Sequence, residues 1–203
     1  YYDSEHSGAF LMKIGGNSSY QPPGPLWTLQ GLQKLWENQQ FRNQNASELL
    51  KLKPTVLRGN ASEIISIAGN ESGGKGVDST SSSNEALDAA ISLAIHHKIV
   101  VAVTGEVDYV TDGNETLSVH GGNIMMTKVT ATGCALTCLI GAGLSTNQEA
   151  ITTTANIMGI YSLAAEIACK NCEGPGTLKP KLLDSLYNMT PEYVNENIKI
   201  SKI

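Results

Sequence analysis

An uncharged segment at residues 99–104 constrains the fold of this chain more than any other feature. It reads Ile-Val-Val-Ala-Val-Thr and contains no charged side chain. β-Branched residues favour strands, and an apolar run without alternation is typical of a strand that is buried on both faces. The amphipathic helix that we predict just before it has apolar positions at Leu87, Ala90, Ile91, Ala94 and Ile95. A buried strand next to a helix with one apolar stripe predicts a layered α/β fold.

Composition limits the class of protein. The chain has 203 residues, of which 41% are hydrophobic and only 5% aromatic, and it contains 20 glycines. This length favours one domain with a sizeable core. The net charge of −5 provides no basic stripe, so we expect no nucleic-acid partner. No apolar run reaches the length of a membrane span and no signal peptide opens the chain, so we expect a cytoplasmic protein with reduced cysteines.

A second strand, at residues 55–57, is followed by a polar turn and a helix. The turn reads Arg58-Gly59-Asn60, and Glu63 lies in the first turn of the helix. Binding residues in α/β sheets tend to lie at the carboxyl ends of strands. Thr104 ends the buried strand in the same way. A guanidinium and a hydroxyl at neighbouring strand ends are suited to holding phosphate oxygens.

A small-residue turn at residues 129–133 leads directly into an apolar helix. The first amides of a helix lack internal partners and carry partial positive charge, so such a turn can hold a phosphate group. Cys134 follows Gly133 and stands where a thiol ionises most easily. On this segment alone, a tight turn that caps a buried helix remains the simpler interpretation.

Four motifs in order resemble hydroxyethylthiazole kinases, thiamine-salvage enzymes of the ribokinase-like superfamily. They lie at residues 55–64, 73–79, 100–113 and 131–134. The resemblance extends from about Phe41 to the carboxyl terminus and implies a ribokinase-like three-layer α/β fold with a mostly parallel central sheet. We therefore divide the chain into an atypical arm, residues 1–40, and a kinase-like domain, residues 41–203. Residues 183–187 resemble the plant-type members.

The resemblance implies a role for several residues. It places Arg58, Asn60, Thr104 and Gly133 at ATP, and it makes Glu63 a ligand of Mg²⁺. The family also uses an aspartate from an upstream Asp-Pro strand end, which this sequence does not match.

The segment that opens the apolar helix carries the remaining site residues. Cys134 stands at the position of the catalytic base, where it either accepts a proton or lines the pocket. Ala131 replaces a glycine beside the thiazole alcohol, and we expect its methyl group to be tolerated if φ is negative.

The implied reaction is the ATP-dependent phosphorylation of 4-methyl-5-(2-hydroxyethyl)thiazole, and the implied assembly is a homotrimer. Two other hypotheses stay open. One is a non-catalytic or truncated paralogue that keeps nucleotide binding. The other is a redox sensor built on Cys134 and Cys138, which lie one helical turn apart.

Overall fold

The computed structural model describes residues 10–12, 39–71, 82–146 and 148–203. Its strands are β1 (Phe10–Met12), β2 (Val56–Asn60), β3 (Val100–Thr104), β4 (Asp108–Thr111), β5 (Thr116–His120) and β6 (Lys199–Lys202). Its helices are α1 (Gln39–Leu50), α2 (Ala61–Glu71), α3 (Ser82–His97), α4 (Thr132–Leu144), α5 (Ala150–Asn171), α6 (Pro175–Asn188) and α7 (Pro191–Asn197), with a 3₁₀ helix at Ile124–Lys128. The motif at residues 73–79 and most of the predicted arm lie outside the described residues.

The sheet is mixed and mostly antiparallel, so the predicted mostly parallel sheet is wrong. Its strands lie in chain order, and only β2 and β3 run parallel. The other neighbours pair antiparallel. The reason is the length of the connections. Residues 105–107 join β3 to β4 and residues 112–115 join β4 to β5, and such short loops can only form hairpins, whereas parallel neighbours need a long crossover.

Helices cover both faces of the sheet, as the layered α/β prediction expected. On one face, Leu57, Val101 and Val103 pack against apolar side chains of α1, α2 and α3. On the other face, alternate strand residues such as Val56 and Ala102 pack against α4, α5 and α6. This alternation follows from the two-residue period of a strand. Within the described residues, no helix is both long and apolar enough to span a membrane.

The strand register directs three polar side chains to the same face. Arg58 is level with Ala102 on β3, and Asn60 is level with Thr104. Val103 pairs with Tyr109 across the β3–β4 hairpin. Because side chains alternate along a strand, Arg58, Thr104 and Asp108 leave the sheet on the face that α4 and α5 cover. Their position at the strand ends makes this the place to look for a site.

Candidate functional site

A cavity of about 680 Å³ lies beside the ends of β2 and β3. Four of the predicted site residues line it, namely Arg58, Asn60, Thr104 and Gly133. Its other walls come from the loop after β3, from the 3₁₀ helix and from the start of α4 and the middle of α5. The structure therefore brings together the predicted ATP-binding residues, although they come from three separate segments of the sequence.

Arg58 is a buried cation with hydrogen-bonding capacity to spare. Only 7% of its surface is exposed, and its Nη2 atom donates a 2.9 Å hydrogen bond to Thr104 Oγ1. Its Nε atom has no hydrogen-bond partner within the described part of the chain. Burial lowers the pKa of Arg58, and the negative charges of Glu63 and Asp108 oppose that shift. A buried guanidinium with an unsatisfied donor beside a cavity is suited to binding an anion.

Helix α4 brings its first turn against Arg58. A Cβ atom placed on Gly133 would lie 2.8 Å from Arg58 Nη1, so only glycine leaves room for the guanidinium. The Tyr161 hydroxyl on α5 donates a 2.9 Å hydrogen bond to the carbonyl oxygen of Thr132, which holds the helix start in place. The helix amino terminus and the guanidinium therefore meet at one cavity, and both favour negative charge.

Ala131, the residue before this helix, has an unusual backbone conformation. Ala131 has φ 71°, in the left-handed region, and makes no side-chain capping hydrogen bond. The condition under which we expected the alanine methyl group to be tolerated, a negative φ, is therefore not met. An alanine in this region costs about 1–2 kcal/mol. Strain of this kind is found at turns that position a binding site, and Ala131 lies in the short connection between the 3₁₀ helix and α4.

Cys134 occupies the first turn of α4, directly after Gly133. Its side chain is half-buried, and its negative form would raise the pKa of both Arg58 and Tyr161. It thus lies within electrostatic reach of the guanidinium, but it is not one of the residues that line the cavity. Cys138, one turn later, is exposed. A role for Cys134 in proton transfer stays a prediction.

Glu63 and Asn60 form a reciprocal cap at the start of α2. The Asn60 backbone N–H donates a 2.8 Å hydrogen bond to Glu63 Oε2, and the Glu63 N–H donates a 3.0 Å bond to Asn60 Oδ1. This is the capping-box arrangement, and it accounts for one carboxylate oxygen. The described residues contain no cluster of three or more His, Cys, Asp or Glu side chains that could hold a metal ion. Glu63 fits Mg²⁺ only as a single carboxylate beside bound phosphate and water.

Sequence reasoning did not identify Asp108 and Tyr161, which both line the cavity. Asp108 accepts a 2.9 Å hydrogen bond from the Gly105 N–H, and burial raises its pKa to about 6. Burial also raises the pKa of Tyr161 to about 12. A signal for Asp108 was present: it alternates with Val110 on the strand face that packs on the core, where a carboxylate is unexpected. Tyr161 carried no comparable signal.

Comparisons with known proteins show which family this chain resembles. Residues 36–192 match the model of the Hydroxyethylthiazole kinase family. Hydroxyethylthiazole kinase from Rhizobium etli is 44% identical over 162 residues, which are 79% of this chain and 63% of that protein. The enzyme of the same name from Leptospira interrogans is 41% identical over 91% of this chain and 68% of its own length.

A solved structure shows the same fold. The hydroxyethylthiazole kinase of Pyrococcus horikoshii superimposes with a TM-score of 0.72 at 32% identity, covering 81% of this chain and 61% of that one. The chain therefore spans about three fifths of the length of that structure. A family model that matches most of the chain, together with this likeness in sequence and fold, establishes that the chain belongs to the hydroxyethylthiazole kinase family.

Proposed function

We propose that this chain binds ATP and transfers its γ-phosphoryl group to the primary alcohol of 4-methyl-5-(2-hydroxyethyl)thiazole, a step in thiamine synthesis and salvage. The observation that carries the proposal is the buried Arg58 guanidinium, which packs against the start of α4 at the cavity wall. Its Nε donor has no hydrogen-bond partner among the described residues. The family membership supplies the chemical class of the reaction. Phosphoryl transfer depends chiefly on positioning and on neutralising charge.

The nucleotide's phosphates would lie between the end of the sheet and the start of α4. Arg58 donates from its guanidinium, Thr104 from its hydroxyl and Gly133 from its backbone amide, while Asn60 lines the same wall. The hydrogen bond between Arg58 and Thr104 already orients the guanidinium, so less entropy is lost when an anion binds.

Magnesium would be held by Glu63 together with phosphate oxygens and water. When bound, Mg²⁺ neutralises charge on the transferring phosphoryl group. Glu63 does not itself line the cavity, but its cap holds the carboxylate against Asn60, which does. We propose that the same side chain stabilises the start of α2 and serves the site.

The acceptor alcohol would lie near the first turn of α4. Its proton leaves as the oxygen attacks phosphorus, and Cys134 is the proposed acceptor of that proton. Ala131, in its left-handed conformation, would direct its backbone toward the alcohol. We further propose a homotrimer, a plant-type subfamily and a cytoplasmic location, all on the resemblance alone.

A second candidate function rests on a motif that the residues before Arg58 do not match. They contain no Asp-Pro pair, whereas the resemblance implies a magnesium-binding aspartate at such a strand end. A kinase relative that keeps Arg58, Thr104 and Gly133 without this aspartate would bind ATP without turning it over. This would be the non-catalytic paralogue.

Calorimetry and a turnover assay distinguish the two functions. We expect Mg-ATP to bind, and ADP release to require the thiazole alcohol. Arg58→Ala removes the guanidinium and should weaken ATP binding by about 1.5–3 kcal/mol, the range of a charge-assisted hydrogen bond. Lys181→Ala, an exposed cation on α6, is the matched control and should bind normally. ATP binding without thiazole-dependent turnover would favour the paralogue, and equal affinity in the Arg58→Ala variant would contradict the site.

A further inference from the structure

Asp108 is placed to act on the end of β3. Val103 and Tyr109 form the last pair of the β3–β4 register. Thr104 and Asp108 are the next residues on the two strands, so by alternation their side chains leave the same face of the sheet. The Gly105 N–H donates a 2.9 Å hydrogen bond to Asp108 Oδ1. This bond closes the hairpin loop and ties the backbone that carries the Thr104 hydroxyl. Through this backbone, Asp108 positions the Thr104 hydroxyl, which accepts the hydrogen bond from Arg58 Nη2.

The groups around Asp108 include more acidic side chains than cations, which is unfavourable for binding an anion. Among the described residues that line the cavity, Arg58 is the only cation, while Glu106 and Asp108 are carboxylates. From the other elements, Glu63 on α2, Cys134 on α4 and Tyr161 on α5 also act electrostatically on Arg58. Each of these three groups is neutral or negative. A phosphate group that enters the cavity therefore has to share one guanidinium with a carboxylate that is already there.

We infer that Asp108 is a positioning residue of the nucleotide site, which holds Thr104 and Gly105 in place and takes up one proton from solvent when phosphate groups bind. The inference rests on the proposed function, because it requires that the cavity accepts a nucleotide. In the empty site the ionised carboxylate balances the charge of Arg58. In the occupied site the phosphates take over that role, and the protonated carboxyl group no longer repels them.

The proton affinity of Asp108 supports this exchange. Burial raises the pKa of its carboxyl group to about 6, and Arg58 opposes part of that rise. A nearby phosphate adds negative charge and screens Arg58, and both effects raise the pKa further. Nucleotide binding and protonation of Asp108 are therefore coupled at pH values above 6.

The test is calorimetry of Mg-ATP binding at pH 5.5 to 8, in paired buffers with different ionisation enthalpies. The difference between the buffers measures the protons taken up. Asp108→Asn keeps an oxygen for the Gly105 N–H but carries no charge, whereas Asp108→Ala loses both. Glu106→Gln removes a carboxylate of the same cavity and is the charge-matched control.

We expect the wild-type chain to take up about half a proton or more near pH 7, and its ATP affinity to fall as pH rises above 6. Asp108→Asn should lack this uptake of a proton. At pH 8 it should bind Mg-ATP about tenfold more tightly than wild type for each pKa unit by which nucleotide binding raises the pKa of Asp108. The two chains should agree at pH 5.5. Asp108→Ala should bind more weakly than Asp108→Asn at every pH, because the hairpin loop is released. Glu106→Gln should keep the proton uptake of the wild type.

Several results would overturn the inference. Equal proton uptake in wild type and Asp108→Asn would mean that a group other than Asp108 takes up the proton. Loss of the preference for Mg-ATP over metal-free ATP in Asp108→Asn would make Asp108 a metal ligand instead. Equal affinity of Asp108→Ala and Asp108→Asn would remove the positioning role. ATP binding by wild type without proton uptake would overturn this inference alone, whereas no ATP binding at all would overturn the proposed function with it.

Discussion

The guanidinium of Arg58 fills the space in which a Cβ atom on Gly133 would lie. An ideal Cβ there would be 2.8 Å from Nη1 and 2.9 Å from Nη2 of Arg58, closer than packed atoms approach. A side chain at position 133 would therefore displace the guanidinium from this place. This contact joins the end of β2 to the start of α4, and it is what makes two distant motifs into one site.

Gly133→Ala should weaken nucleotide binding. The added methyl group pushes the guanidinium away and disturbs its 2.9 Å bond to Thr104, so we expect a loss of about 1.5–3 kcal/mol in ATP affinity. Calorimetry measures it. Gly176→Ala on α6, where a Cβ meets no atom within 4 Å, is the control. If Gly133→Ala binds ATP as tightly as wild type, the guanidinium does not contact the nucleotide.

Substitutions of Glu63 should separate its two roles. Glu63→Gln keeps an oxygen for the Asn60 N–H and should leave the free energy of unfolding nearly unchanged, whereas Glu63→Ala should lower it by about 1 kcal/mol through loss of the cap. Urea unfolding measures both. If Glu63 also holds Mg²⁺, the Gln variant needs a higher Mg²⁺ concentration for ATP binding. An unchanged Mg²⁺ requirement would restrict Glu63 to capping.

Ala131→Gly should stabilise the fold. Alanine pays about 1–2 kcal/mol of steric cost at a φ near 71°, and glycine does not. Glycine also raises the entropy of the unfolded chain, which offsets part of this gain in stability. We expect a net increase of up to about 1 kcal/mol in the free energy of unfolding. Ala135→Gly, inside α4 at an exposed helical position, should instead destabilise by about 1 kcal/mol. Destabilisation by Ala131→Gly would contradict the strain.

Cys134 should affect turnover more than ATP binding. If its thiolate accepts the substrate proton, Cys134→Ser should lower kcat about a hundredfold, and Cys134→Asp, which restores a carboxylate base, should be at least as active as the Ser variant. Cys138→Ser, an exposed thiol one turn away, should behave as wild type. Rates of thiazole-dependent ADP release between pH 6 and 9 decide the question. Wild-type turnover in both Cys134 variants would leave Cys134 a pocket-lining residue.

The stability of the chain should depend on pH through Asp108. Its pKa in the folded state, about 6, lies above its ordinary value of 3.8, so the folded state binds the proton more tightly. This contribution to stability is fully present below pH 3.8 and is lost as pH rises through 6. Urea unfolding of wild type and Asp108→Asn at pH 4 to 8 should show the Asn variant gaining relative to wild type up to about pH 7. A constant difference would contradict the shifted pKa.

The sequence by itself determined the strands and helices around the site. The apolar run before Thr104 is a buried strand because nothing in it can face water. The turn predicted at Arg58-Gly59-Asn60 is wrong, because these residues continue β2 and pair with β3. The Asp112-Gly113 pair between β4 and β5 is also a local hairpin signal. The direction of the strands at the sheet edges was not readable, because β1 pairs with β2 and β5 with β6 across long connections, and which distant elements pair is a property of the whole sheet.

The tertiary structure alone decided how the site is assembled. That Arg58 lies against Gly133, and that its Nη2 atom donates to Thr104, depends on packing between segments 46 or more residues apart. Asp108 shows the same limit. Its alternation with Val110 is visible in the sequence, but its raised pKa comes from burial, which the charge of Arg58 opposes only in part. Local patterns determine which face a side chain takes, whereas desolvation and charge pairing arise only when distant segments meet.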